Sequence, residues 1–145
     1  MAKIAAKTET GLDYSKFYKN AVKTAKKDTS EAICMSVAEI AYEFKAAAII
    51  AFTISGYTAE KMSRYRPQCP IIAATPNEEI VNKLALTWGV TPVICNNVQN
   101  SDTMLKLAEL IAKEQGCEEG QLVIVTGGTP GNSGQTNFLN LITLK

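Results

Sequence analysis

The apolar positions of this chain change period several times, and the changes mark out its elements. Ile33, Val37, Ile40, Ala41 and Phe44 recur at helical spacing behind Thr29 and Ser30, which predicts a four-turn helix capped by Ser30. The continuous apolar run Ala46 to Phe52 then fits a strand buried on both faces. A short helix follows over Thr58 to Tyr65, and Pro67 and Pro70 frame the turn into a second buried strand, Ile71 to Ala74. Thr75-Pro76-Asn77-Glu78 combines a cap, a proline at the first helical position and an acid in the first turn. The helix it starts carries Ile80, Val81, Leu84 and Ala85 toward Trp88 and stops at Gly89. Val90 to Cys95 reads as a third strand. Ser101 caps a helix with Met104, Leu107, Ala108 and Ile111 that ends at Gly116, and Leu122 to Val125 and Phe138 to Leu144 read as the fourth and fifth strands.

Strands alternating with helices predict a parallel sheet with right-handed crossovers. The final connection, Gly127 to Asn137, is glycine-rich, has no helical pattern and is too short for a parallel crossover, so the fifth strand returns antiparallel at the sheet edge. The expected fold is a three-layer, Rossmann-like α/β domain with a five-stranded mixed sheet in the order 3-2-1-4-5. Its switch point lies between strands 1 and 4, and ligands of such sheets bind at the carboxyl ends of the flanking strands. Residues 1–28 stand apart. They are helix-compatible, with Lys16, Lys19, Lys23, Lys26 and Lys27 on one broad solvated face, and Phe17 and Val22 offer little apolar stripe in return. The domain proper is therefore expected over residues 29–145, behind a helical linker that packs on something else.

Composition narrows the chemistry. The 145 residues carry 15 Lys+Arg against 14 Asp+Glu, a net charge of +1, and no histidine. Near-neutral charge gives no electrostatic case for nucleic acid. Without histidine there is no Ser-His or Cys-His nucleophile and no His-ligated zinc, and no carboxylate pair or metal cluster stands out. Cys34, Cys69, Cys95 and Cys117 are too widely spaced for a zinc knuckle or a redox motif. No secretory leader is visible at Met1-Ala2-Lys3-Ile4, so the cysteines are expected as packed, reduced thiols of a cytoplasmic protein. No apolar run approaches the ~20 residues of a membrane span.

The two segments at the switch point are the two best suited to hold a phosphate. Thr53-Ile54-Ser55-Gly56-Tyr57-Thr58 offers three Ser/Thr hydroxyls, a glycine and a helix N-terminus. Gly127 to Asn137, with Gly128, Thr129, Gly131, Ser133 and Gly134, lets backbone N–H groups approach an anion closely. A capped turn and a flexible hairpin loop are the plainer alternatives. Neither segment is a nucleoside-triphosphate cradle: Gly134 is followed by Gln135-Thr136 and a strand, and no G-x-G-x-x-G occurs. The expectation is a sugar-phosphate or nucleoside-monophosphate pocket. Arg64 and Arg66, the only arginines, sit at a helix end, where they meet the helix dipole or pair with another subunit. Trp88 reads as a core or interface anchor.

Ser30-Glu31-Ala32-Ile33, the Thr53 to Thr58 loop, Ser63-Arg64-Tyr65-Arg66-Pro67 with Pro70-Ile71-Ile72-Ala73, and Thr126 to Asn137 together resemble the C-terminal regulatory domain of pyruvate kinase. The resemblance runs from about residue 29 to 144, and residues 1–28 look like the last helix of that enzyme's barrel and the linker leaving it. It implies a parent enzyme that moves a phosphoryl group from phosphoenolpyruvate to ADP with Mg2+ and K+, all in a (β/α)8 barrel that this chain is too short to contain. The chain itself is then inert and needs no cofactor. It further implies that an activator's phosphate sits on the loop of Thr53, Ser55, Gly56 and Thr58, with Gly128 to Gly134 closing over it. Relatives activated by fructose 1,6-bisphosphate carry Trp and Arg near the start of the glycine loop, where Gly128 and Thr129 stand here, and residues 96–115 also lack both. A monophosphate such as ribose 5-phosphate or AMP is therefore favoured over the bisphosphate. The edge strand Phe138 to Leu144 resembles the part that meets a two-fold mate in the tetrameric enzyme, which makes a homo-oligomer and the catalytic barrel the expected partners. Two alternatives remain open at this point, a domain serving subunit association alone and a stand-alone phosphate-binding protein.

Overall fold

The computed structural model describes residues 2–96, 98–129 and 135–145. Two helices, α1 (Ala2–Thr10) and α2 (Tyr14–Thr24), precede the run α3 (Thr29–Glu43), β1 (Ala48–Phe52), α4 (Tyr57–Arg64), β2 (Ile71–Thr75), α5 (Glu78–Leu84), β3 (Val90–Ile94), α6 (Ser101–Glu114), β4 (Leu122–Gly127) and β5 (Phe138–Thr143). The sheet order is β3-β2-β1-β4-β5. β1 lies parallel to β2 and β4, β2 parallel to β3, and β5 antiparallel to β4. This is the expected topology, with the short glycine-rich connection returning the last strand to the edge.

Alternation along the central strands divides the core in two. Ile49, Ala51, Ile71, Ala73 and Ile124 face Cys34, Val37, Ala38 and Ala41 of α3, Ala59 and Met62 of α4, and Leu84 of α5. Ala48, Ile50, Phe52, Ile72, Ala74, Val123 and Val125 face Met104, Ala108, Ile111 and Ala112 of α6 on the opposite side. All five residues of β1 and of β2 are buried. That explains why these strands read as unbroken apolar runs instead of alternating ones.

Several local expectations are corrected. The cap of α3 is Asp28, whose carboxylate accepts from Glu31 N at 2.8 Å, so Ser30 lies in the first turn with its hydroxyl free for another partner. Asn100 and not Ser101 caps α6, accepting from Thr103 N at 2.8 Å. Thr75 is held in β2 opposite Ile94, as its place before a proline favours, and Asn77 caps α5 through Glu79 N at 2.9 Å. α5 ends at Leu84, short of Trp88, and Gly89 makes the turn into β3 at φ +68°. Phe44 is 69% exposed, because α3 presents Cys34 and Ala38 to the sheet where Ile33, Ile40 and Phe44 were expected to lead.

The N-terminal segment is two helices, broken at Gly11 to Asp13, with Asp13 capping α2. α1 buries nothing. α2 lays Tyr18, Ala21 and Val22 against the α3 side of the core, and Tyr14 packs on Trp88. Cys34 and Cys95 are buried, Cys69 and Cys117 half-buried, and all four thiols are free. Among the described residues no helix is long and apolar enough to cross a membrane.

Candidate functional site

β1 and β4 are adjacent and parallel, with Phe52 opposite Gly127, so the segments after them leave the same end of the sheet side by side. Their close approach has a cause. A Cβ at position 127 would stand 2.6 Å from the Phe52 carbonyl oxygen, so only glycine lets β4 run alongside β1 to its end. After β1, Thr53 is buried; its N–H donates to Ala74 O at 3.0 Å and its hydroxyl accepts from Gly56 N at 2.9 Å. That bond folds the chain into the tight turn that starts α4. Gly56 supplies the left-handed residue at φ +86° and stands at the N-cap, with no side chain capping the helix. Ser55 is exposed above the turn, beside the uncapped first-turn N–H groups of Tyr57 and Thr58.

The Thr58 hydroxyl is turned inward to Thr136, 2.8 Å away. Thr136 N donates to Ser30 Oγ at 3.1 Å, which ties the approach to β5 to the first turns of both α3 and α4. Gly128 and Thr129 are half-buried at the start of the glycine-rich segment. Thr129 N donates to Asn137 Oδ1 at 2.9 Å and Asn137 N to Gly127 O at 3.0 Å, clipping its two ends together. Of the expected site residues, Thr53, Ser55, Gly56, Tyr57, Thr58, Gly128 and Thr129 thus lie at one end of the sheet; Gly131, Ser133 and Gly134 fall outside the described residues.

A buried carboxylate stands beside this site, and no single sequence feature announces it. Glu31, only 1% exposed, accepts at Oε1 from Lys61 Nζ at 2.6 Å and Arg64 Nη1 at 3.3 Å, and at Oε2 from the Tyr65 hydroxyl. Burial pushes its pKa up, but the bonds from Lys61 and Tyr65 and the charges of Lys61 and Arg64 outweigh this and leave it below the ordinary value. Burial likewise opposes the charge on Lys61, and its bond to Glu31 more than compensates, so its pKa is raised. Burial first, and then the Glu31 charge, pushes the Cys34 thiol up to about 12, which makes it a poor nucleophile. The available signal was the pairing of two segments, an acid entering a buried helix face and a Lys, Arg and Tyr within one helical turn of each other.

This cluster also disposes of the cations. Arg64 is paired with Glu31, and Arg66, at φ +49°, stacks its guanidinium 4.6 Å from the Trp88 ring and donates to Ser63 O at 3.0 Å. Trp88, expected as an anchor, is therefore also a stacking platform, shared by Arg66 and Tyr14. A cleft of about 340 Å³ beside Glu31 is lined by Lys26, Lys61 and Arg64 but equally by Asp28, Glu31 and Glu60, so it carries no net positive charge. Among the described residues no group of His, Cys, Asp or Glu side chains is placed to hold a metal ion.

The family model described as "Pyruvate kinase, alpha/beta domain" matches residues 31–142. The chain belongs to this family. Pyruvate kinase of Clostridium acetobutylicum is 40% identical over 143 residues, which is 97% of this chain and 30% of that enzyme. The enzyme of Staphylococcus saprophyticus is 39% identical, again over 97% of this chain and over 24% of its own length. The structure of Cryptosporidium parvum pyruvate kinase in complex with ADP superposes with a TM-score of 0.87 at 29% identity, covering 99% of this chain and 29% of that one. The chain therefore spans less than a third of the pyruvate kinases it resembles.

The Glu31 cluster sets a pH dependence. With its folded pKa lowered, Glu31 contributes stability above the ordinary carboxylate value of about 4.3, and this is lost as pH falls through the lowered folded value. Lys61 contributes below the ordinary lysine value of about 10.4, and loses its contribution as pH rises through the raised one. Glu31→Gln, which strands Lys61, should lower stability at neutral pH by roughly 3–5 kcal/mol and flatten the acid limb of a plot of Tm against pH. Thermal denaturation of both proteins across the acid range checks this. An unchanged acid limb would assign the pH dependence to other groups.

Proposed function

We propose that this chain is the effector-binding and assembly domain of a pyruvate kinase, and that the segments after β1 and β4 hold the phosphate of a small metabolite. The observation that carries the reading is the convergence of the Thr53 to Thr58 turn, the uncapped start of α4 and Gly128-Thr129 at adjacent strand ends. The exposed Ser55 hydroxyl and the uncapped N–H groups at the start of α4 would form a neutral anion site, aided by the helix dipole. The nearest arginines are committed to Glu31 and to Trp88, so nothing equivalent waits for a second phosphate. A sugar monophosphate or AMP fits this donor set better than fructose 1,6-bisphosphate does. Transfer of phosphate from phosphoenolpyruvate to ADP, with its Mg2+ and K+, would be the work of the remainder of such an enzyme in the cytoplasm, with this domain docked to its catalytic barrel.

Ribose 5-phosphate at millimolar concentration should raise the Tm of the chain, since a ligand at about 100 times its Kd adds roughly 2.7 kcal/mol. Ser55→Ala should abolish the shift, because Ser55 is exposed and its loss costs the fold little. Failure of every phosphorylated metabolite to shift the wild-type Tm would remove the binding proposal.

The assembly half of the reading rests on β5. Its inner edge pairs with β4 while among the described residues no strand lies beside its outer edge, and Leu141 on β5 is 45% exposed. An apolar edge of this kind is covered in a stable protein, and a two-fold mate covers it with an identical strand. Sedimentation should show a concentration-dependent dimer that Leu141→Asp shifts to monomer. A wild-type chain that stays monomeric throughout would contradict the assignment of this edge.

A further inference from the structure

Thr136 is fully buried and bonds to both helices beside the proposed site: its hydroxyl meets Thr58 at 2.8 Å and its N–H meets Ser30 Oγ at 3.1 Å. Each threonine hydroxyl has a single proton to give. In the Thr58–Thr136 pair one hydroxyl donates, and the other keeps its proton for a different acceptor. Thr136 has no other hydroxyl partner among the described residues and is 0% exposed, whereas Thr58, itself only 4% exposed, stands in the first turn of α4 close to the exposed Ser55. With Thr136 donating to Thr58, the hydroxyl sealed from water is satisfied and the proton left over belongs to Thr58, at the start of α4.

We infer that Thr136 is the positioning residue of the phosphate site, holding the Thr58 hydroxyl so that its proton faces a phosphate-monoester oxygen. This rests on the phosphate-binding reading above and extends it to a residue near the end of the Gly127 to Asn137 segment that was not among the expected site residues. The second bond gives the arrangement its rigidity. Ser30 is itself fixed, because Asp28 caps α3 just ahead of it and Glu31 just behind it is locked by three donors. A ligand that tightens the Thr58 hydroxyl therefore acts on a junction shared by α3, α4 and the approach to β5. Ligand occupancy and the order of the α3 N-terminus are coupled through it.

The test compares Thr136→Val, which keeps the N–H and the side-chain shape but removes the hydroxyl, with Thr136→Ser, which restores it. Titration of the full chain with ribose 5-phosphate should show affinity weakened by about tenfold in Thr136→Val and returned to within about twofold of wild type in Thr136→Ser. Fluorescence of Trp88, the only tryptophan, reports whether each variant is folded. A folded Thr136→Val that binds as well as wild type, or a Thr136→Ser no better than Thr136→Val, would overturn the positioning role while leaving the phosphate site in place. A wild-type chain that does not bind ribose 5-phosphate, AMP or inorganic phosphate would overturn both.

Discussion

The fold of the site depends on a carboxylate that has been taken out of water. A glutamate as deeply buried as Glu31 is tolerable only if each oxygen is bonded and the charge is matched, and Lys61, Arg64 and Tyr65 do both from one helix and the residue that follows it. The cost of burying the charge becomes a geometric constraint. α3 and α4 cannot slide against each other without stranding an ion, so their first turns stay in register. That register brings Ser30 and Thr58 to opposite sides of Thr136.

The same cluster shapes the chemistry by occupation. Three cations that could have joined an electrostatic phosphate clamp are held elsewhere, Lys61 and Arg64 by Glu31 and Arg66 by Trp88 and Ser63. What is left at the ends of β1 and β4 is neutral: hydroxyls, backbone N–H groups and the start of a helix. The phosphate site proposed above would select by the shape and number of acceptor oxygens more than by total charge, with little long-range attraction from a chain of net charge +1. Gly127 matters as much as any donor, since without its close approach to Phe52 the two segments would not emerge side by side.

Topology was legible in the sequence because it follows from pattern. Buried parallel strands have to read as apolar runs, and a connection from Gly127 to Asn137 with no helical pattern in its sequence, too short for a parallel crossover, points to the antiparallel return. Caps were less legible. Asp28 against Ser30, and Asn100 against Ser101, are neighbouring side chains of similar propensity; at α3 the Ser30 hydroxyl is taken up by a tertiary bond from Thr136 N. The Glu31 cluster was not legible in its geometry at all, since nothing in helical spacing joins residue 31 to residues 61, 64 and 65. The commitment of Thr58 to Thr136 was hidden for the same reason: its partner lies 78 residues away in sequence.

The central claim is that recognition here rests on neutral donors fitted to one phosphate. Calorimetric titration of the chain with ribose 5-phosphate and with fructose 1,6-bisphosphate, under identical salt, tests it most directly. The account predicts measurable binding of the monophosphate and no gain from the second phosphate. A bisphosphate that binds about tenfold tighter or more would mean that a cation reaches the site after all, and would contradict it.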